Sequence, residues 1–453
     1  MRKNHSANSN YVLYLTGFLF FLAFLFFCIM DVRRGFLFKS YILKTTWINY
    51  NHHQLWIIAV VVSGLLFFHR LLKGAENRGE VNESQSRILA KVTAFTIFGI
   101  LATTLVFIYR GVAMVRILGE GKMSIPALGL SPAQLHGSKE LIPFDTTLFL
   151  LKPVAVAINY MSLVWGATTL ALLLAGFAAT VIPLYFSRLF TSRGSGKLRP
   201  LIGGMIYGIP QPFCSCCAAP ISATIYKSGG SIAASVAFLL TSPTLNITAL
   251  ILSVSLLPPP YAILRIVGGG IFVFSAAYMA AVLAERLPKE DEQQPPGRIL
   301  SFVYRVFNRY CNLFQIESMD RSYPTPISII RGWMSNSWSA AKVVVPTLLL
   351  GGILAGIVVV FLPMVFSNNV GGVLLASFLG TPLMIATWTE IPVASVLASQ
   401  GLSGPAAALL VTLPVVSLPC LLIFGGALRS GKIAALLGLA TFLFGVTAGL
   451  LFM

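Results

Sequence analysis

Three cysteines stand within four positions in the segment Pro210-Gln211-Pro212-Phe213-Cys214-Ser215-Cys216-Cys217-Ala218-Ala219-Pro220. Thiolates are soft ligands that suit Cu(I), Zn(II) and other thiophilic centres. Proline lacks a backbone N–H, so the flanking prolines argue against regular helix through the motif. On an irregular loop Cys214, Cys216 and Cys217 can converge. On a helix Cys216 would point away from the other two. The alternative is that Cys is a small apolar filler in crowded helix packing.

Glu390 is a second chemical candidate, in Thr387-Trp388-Thr389-Glu390-Ile391-Pro392. It is the one acid expected inside an apolar part of this region. A buried carboxylate is costly and is a functional candidate by default, for example as a proton carrier that couples transport. A snorkelling residue, or an internal salt bridge to Lys227 or Arg265, is the competing expectation. Polar residues cluster further on, at Thr241, Ser242, Thr244 and Asn246, then at Thr412 and Ser417, beside Pro243, Pro414 and Pro419. They either satisfy carbonyls freed by proline or line a path.

These residues need a membrane around them. The chain has 453 residues, of which 56% are hydrophobic and 10% charged. A soluble domain carries about 25% charged residues, so the bilayer must be the solvent. Apolar runs near 11–30, 54–72, 92–109, 160–186, 201–226, 231–257, 261–284, 342–366, 371–398, 404–427 and 432–452 are of spanning length. Runs this long form helices and exceed any barrel strand. The expected fold is an all-α polytopic protein, multi-pass in the cell (inner) membrane, with the first run retained as a span. The formal charge of +18 sits in loops between the runs, where it sets orientation, so nucleic acid is not an expected partner. The remaining cysteines, Cys28, Cys311 and Cys420, follow no disulfide spacing. Cys420 is a weak candidate for a further ligand.

The chain divides into N-terminal transmembrane helices (1–110), an extramembrane loop (111–159), a first repeat (160–285), a cytoplasmic linker (286–341) and a second repeat (342–453). Within the linker, Arg298, Arg305, Arg309 and Asn312 share one face of a helix over 298–316, with Phe302, Val303, Val306, Phe307, Tyr310 and Phe314 on the rest. A basic amphipathic helix of this kind suits an anionic membrane surface. A short core helix of a linker domain is the alternative.

The repeat is internal. Gly208, Pro210 and Pro220 recur as Gly380, Pro382 and Pro392, at a constant offset of 172 residues. Gly229 and Ser231 answer Gly401 and Ser403, and Thr241-Ser242-Pro243 answers Thr412-Leu413-Pro414 after one deletion. Arg188, Arg193, Lys197 and Arg199 before the first copy, and the basic linker after it, should both be cytoplasmic. That requires 201–226 to be a re-entrant hairpin, broken at Gly208, Pro210, Pro212 and Pro220. The same rule makes 371–398 a hairpin from the outside, so the copies have inverted topology with paired broken segments. Inverted repeats of this kind mark secondary transporters with a midplane site. Arg33, Arg34, Lys39 and Lys44 fit the scheme less well, because it places them outside.

The residues Pro212, Cys214, Ser215, Cys216 and Pro220, then Gly229, Ser242, Pro243 and Asn246, resemble the predicted-permease family (DUF318/YraQ-like) that includes ArsP-type organoarsenical efflux permeases. The resemblance covers 160–285 well and 342–453 more loosely. Cys217 stands where the family has Gly. The resemblance implies a substrate-binding set of Cys214, Ser215, Cys216, Cys217 and Asn246 for a trivalent arsenical, or a metal set of the three cysteines for a soft ion. The expected function is therefore an efflux permease for a small thiophilic solute, with Glu390 coupling protons. A membrane thiol-redox enzyme and a membrane scaffold are the alternatives. No P-loop, HExxH, GxSxG or dinucleotide fingerprint occurs. Neither enzymatic activity nor a cofactor is expected, and a homo-oligomer is allowed.

Overall fold

The structure is a computed structural model that describes residues 2–34, 43–44, 49–50, 52–78, 83–104, 142, 147–186, 196–211, 213–286, 309, 324–361, 366–383, 388 and 390–453. The amphipathic segment expected over 298–316 lies outside the described residues apart from Arg309. So do Pro212, Cys311 and most of 111–159. Apart from a two-residue antiparallel ladder, β1 (Leu43–Lys44) with β2 (Asn49–Tyr50), the described chain is helical. Eight of the helical stretches are long and apolar enough to cross a membrane. The protein is an all-α polytopic membrane protein.

Two compact units are present, one formed by residues 1–113 with 317–335, the other by 114–316 with 336–453. The first unit holds α1 (Arg2–Arg34), α2 (His52–Asn77) and α3 (Glu83–Thr103). Small residues let α1 and α2 interlock. Gly17 seats the ring of Phe68, Gly64 seats Phe21, and the two rings meet at 5.7 Å. His69 lies on α2 beside the ring of Phe18.

The second unit contains the duplication, element by element. The first copy runs α4 (Lys152–Val181), α5 (Leu198–Gly208), α6 (Ser215–Lys227), α7 (Ile232–Thr244), α8 (Ile247–Leu256), and α9 (Pro259–Ile263) leading through a π-helical segment (Leu264–Gly268) into α10 (Gly269–Arg286). The second runs α11 (Pro326–Phe361), of which residues 336–361 belong to this unit, α12 (Val370–Gly380), α13 (Glu390–Ser399), α14 (Ser403–Val415), α15 (Leu418–Leu428) and α16 (Gly431–Leu451). Packing follows the same order: α5 on α7 and α12 on α14, α6 on α7 and α13 on α14, α10 on α7 and α16 on α14.

Matching details carry the repeat into the backbone. Gly229 and Gly401 close the equivalent turns with φ of 92° and 79°, a region closed to most side chains. A Cβ on Gly208 would lie 2.9 Å from Thr241 Cβ, and one on Gly380 would strike the Oγ1 of Thr412. Each break is stitched by one amide: Ile247 N–H donates to Ile209 O at 3.1 Å, and Leu418 N–H donates to Pro382 O at 3.0 Å.

Helix boundaries differ from the apolar runs in three places. Pro153 sits in the first turn of α4, where its missing N–H costs nothing, so the helix starts inside the expected loop. α11 starts at Pro326, well before the apolar run at 342. Ile329, Ile330 and Trp333 are buried while Arg331 and Met334 face outward, so Arg331 lies on the outer face of a helix, whereas the polar Asn336 and Ser337 are buried. The thiol motif also departs from expectation, because α6 begins at Ser215 and contains Pro220. At about 1.5 Å per residue, α5 (11 residues) and α6 (13 residues) each fall short of a hydrocarbon core of roughly 30 Å.

Candidate functional site

Cys214 is the N-cap of α6, with extended backbone (φ −73°, ψ 165°). The N-cap side chain folds over the first helical turn, toward the second and third residues of the helix. Those residues are Cys216 and Cys217. The Sγ of Cys214 lies 3.0 Å from that of Cys216 and 3.0 Å from that of Cys217. All three sulfurs fall within 4.8 Å of one another, and all three residues are buried. The thiols therefore converge, although two of them are helical. The expectation that helix would separate them fails because the helix starts one residue after Cys214. A helix N-terminus favours negative charge, and Pro220 leaves the Cys216 carbonyl without its usual helical N–H donor.

Ser215 serves a different purpose. Its Oγ donates to Ser417 Oγ at 3.1 Å, which ties the first copy to the second. Ser417 is the N-cap of α15, the helix that packs on α6. Cys420 lies in the first turn of α15 and is fully buried.

Asn246 has no free amide group to offer a solute. Its Oδ1 accepts from Ala249 N at 2.8 Å and Thr248 Oγ1 at 2.7 Å. Its Nδ2 donates to Ser242 O at 2.8 Å and to Pro243 O at 3.3 Å. It caps α8 and holds the α7–α8 break. The same break reaches the thiol segment, since Ser242 Oγ donates to Gln211 O at 2.8 Å.

Glu390 opens α13 and is paired. Its Oε1 accepts from Arg265 Nη2 at 2.6 Å, and both side chains are 1% exposed. Arg265 sits in the π-helical segment, and its Nη2 also lies 3.4 Å from Pro243 O. Glu390 Oε2 and Arg265 Nε and Nη1 have no hydrogen-bond partner among the described residues. Of the partners the sequence offered, Arg265 is the one that meets Glu390. Two residues before it, Trp388 is buried with φ of 78°, an uncommon conformation for a bulky side chain.

Sequence reasoning missed two elements of this region. Ser417 gave only a generic polar signal beside a proline. The positive φ of Trp388 gave none, because a bulky aromatic residue does not signal that conformation. Pro210 and Pro382 follow the ends of α5 and α12, and Pro243 and Pro414 stand one residue from the ends of α7 and α14, whereas Pro392 sits in the first turn of α13 and Pro220 lies inside α6, so the helix continues through Pro220 where a break is expected.

Half-length helices meeting at paired breaks in a polytopic helical chain define a membrane permease architecture. The model of the predicted permease family ArsP_1 matches residues 194–453, and the chain belongs to that family. It is similar to the UPF0718 protein MJ0584 of Methanocaldococcus jannaschii, 26% identical over 318 residues that cover 60% of this chain and 87% of that one. It is similar also to the UPF0718 protein YraQ of Escherichia coli, 26% identical over 272 residues covering 59% and 71% of the two chains. No solved structure matches. The protein is a multi-pass membrane transporter.

Proposed function

We propose that this transporter is a secondary efflux permease for a small thiophilic solute, a trivalent arsenical or a soft metal ion. The convergence of Cys214, Cys216 and Cys217 at a helix break carries this reading. Three soft donors within reach of one centre suit trivalent arsenic and also suit copper or zinc. Irregular backbone at membrane depth is tolerated where it is buried in protein or lines a cavity, so a broken segment is where a solute path belongs. Inverted orientation follows if α5 and α6 form a hairpin that does not cross, since each copy then crosses the membrane three times. Ser215 and Ser417 hold the copies together beside the thiols. Glu390 is the carboxylate that couples protons to the solute.

A toxicity panel of methylarsenite, arsenite, copper and zinc, in cells with and without the protein, tests the reading. Protection against at least one toxicant is expected. It should vanish on serine replacement of Cys214 and Cys216, with insertion unchanged. Full protection by those variants would remove the thiol mechanism.

The 3.0 Å approach of Cys214 to both neighbours also favours a second reading, a thiol-redox enzyme cycling a disulfide. Alkylation after oxidising and reducing isolation separates the two. An enzyme cycles between free and blocked thiols, and a permease keeps them free.

A further inference from the structure

Arg265 and Glu390 come from different copies and meet in a buried pair. The pair touches the break that the thiol-bearing segment touches. The α7–α8 break is gripped from one side by the thiol segment, through Ser242 Oγ on Gln211 O. From the other side it faces Arg265, through Nη2 on Pro243 O. Glu390 stands at the start of α13, which packs on α8 and α14. No residue of α8 or α14 is titratable. The adjoining α9 and π-helical segment carry Tyr261, bonded to Ser403 O, and Arg265 itself. Among the described residues, Arg265 is therefore the charged group that faces Glu390.

Resting on the permease reading, we propose that the Arg265–Glu390 pair is a proton-operated clasp between the two copies, with Arg265 as a positioning residue. A proton arriving from water binds Oε2 of Glu390, the carboxylate oxygen with no hydrogen-bond partner among the described residues. The carboxyl becomes neutral and its charge-assisted bond to Nη2 is lost as such. The guanidinium, still charged and buried, no longer has its counter-ion. A buried charge without a partner is strongly disfavoured, so the α13 start separates from the π-helical segment. Arg265 then releases Pro243 O, and the break that holds the thiol segment is free to move. Loss of the proton closes the clasp. π-Helical segments inside helices recur at functional positions, as does strained backbone such as that of Trp388.

The test uses the full chain in proteoliposomes with methylarsenite as the probe, comparing the wild type with R265Q, E390Q, the double variant R265Q/E390Q and E390D. The single neutral variants leave one buried charge unpaired and are expected to lose stability. The double variant removes both charges and is expected to fold. It should exchange methylarsenite across the membrane at a rate flat with pH, and an imposed proton gradient should no longer drive accumulation. E390D keeps the charge on a shorter arm and should shift the midpoint of the pH profile. A wild-type pH profile in the double variant, or an unmoved midpoint in E390D, would show that the pair only braces the fold. Wild-type transport that ignores pH also overturns the clasp while leaving the thiol reading intact. A wild-type chain that moves none of methylarsenite, arsenite, copper or zinc removes the thiol reading and the clasp with it.

Discussion

At the residue scale, the site turns on where a helix starts. Had α6 begun one residue earlier, Cys216 would face away from Cys214. As an extended N-cap, Cys214 lays its sulfur over both neighbours. The buried pair sets the largest single-residue effects. Glu390→Gln leaves the Arg265 charge without a counter-ion, at a cost of about 3–5 kcal/mol. The double neutral variant should recover most of that loss, read as thermal unfolding in detergent. Asn246→Ala removes a cap and two donors from the α7–α8 break, costing roughly 1–2 kcal/mol. Asn246→Asp keeps the cap acceptor and should cost less. Equal losses would mean that the cap acceptor, which Asp retains, contributes nothing. The cysteines and Glu390 were readable as candidates because thiols and acids are rare in apolar runs. Their geometry was not readable, because it depends on the N-cap and on a partner 125 residues away in the chain.

At the element scale, the duplication predicts paired outcomes. Gly229→Ala and Gly401→Ala each force a side chain into positive φ and should each cost about 1 kcal/mol, to similar extents. The helix-contact glycines should differ. At Gly380 the obstacle is the Thr412 hydroxyl oxygen, so Thr412→Ala should partly rescue Gly380→Ala. At Gly208 the nearest atom is Thr241 Cβ, which alanine retains, so Thr241→Ala should give no comparable rescue. Double-mutant cycles on unfolding midpoints measure both. Rescue of equal size at the two sites would contradict the packing described. The Gly and Pro offsets revealed the breaks because these residues act locally on the backbone. The start of α11 was hidden because polar residues interrupt its apolar pattern, Arg331 on the exposed face and Asn336 and Ser337 buried, and the start of α4 because Pro153 reads as a breaker but serves as a first-turn residue.

At the scale of the whole molecule, eight helical stretches of spanning length among the described residues and the permease family assignment agree with the composition. The basic loops add orientation. The hairpin reading places the turn after α6 in the cytoplasm and the turn after α13 outside. In a chain stripped of reactive native thiols, Lys227→Cys should therefore label from the cytoplasmic side and Gln400→Cys from the other. Labelling of both from one side would end the inverted arrangement. Hydropathy revealed the spans because lipid forbids unpaired backbone. It could not reveal which segments turn back, since α5 and α6 together are as apolar as a full crossing.

The central claim is that a three-thiol cluster at the break of the first copy holds the transported solute. Its most direct measurement is export of methylarsenite from cells expressing the wild type or the Cys214→Ser/Cys216→Ser variant, with equal insertion checked by membrane quantification. Low cellular arsenic is expected with the wild type, and arsenic at the level of cells lacking the protein with the variant. Equal export by the two proteins would contradict it.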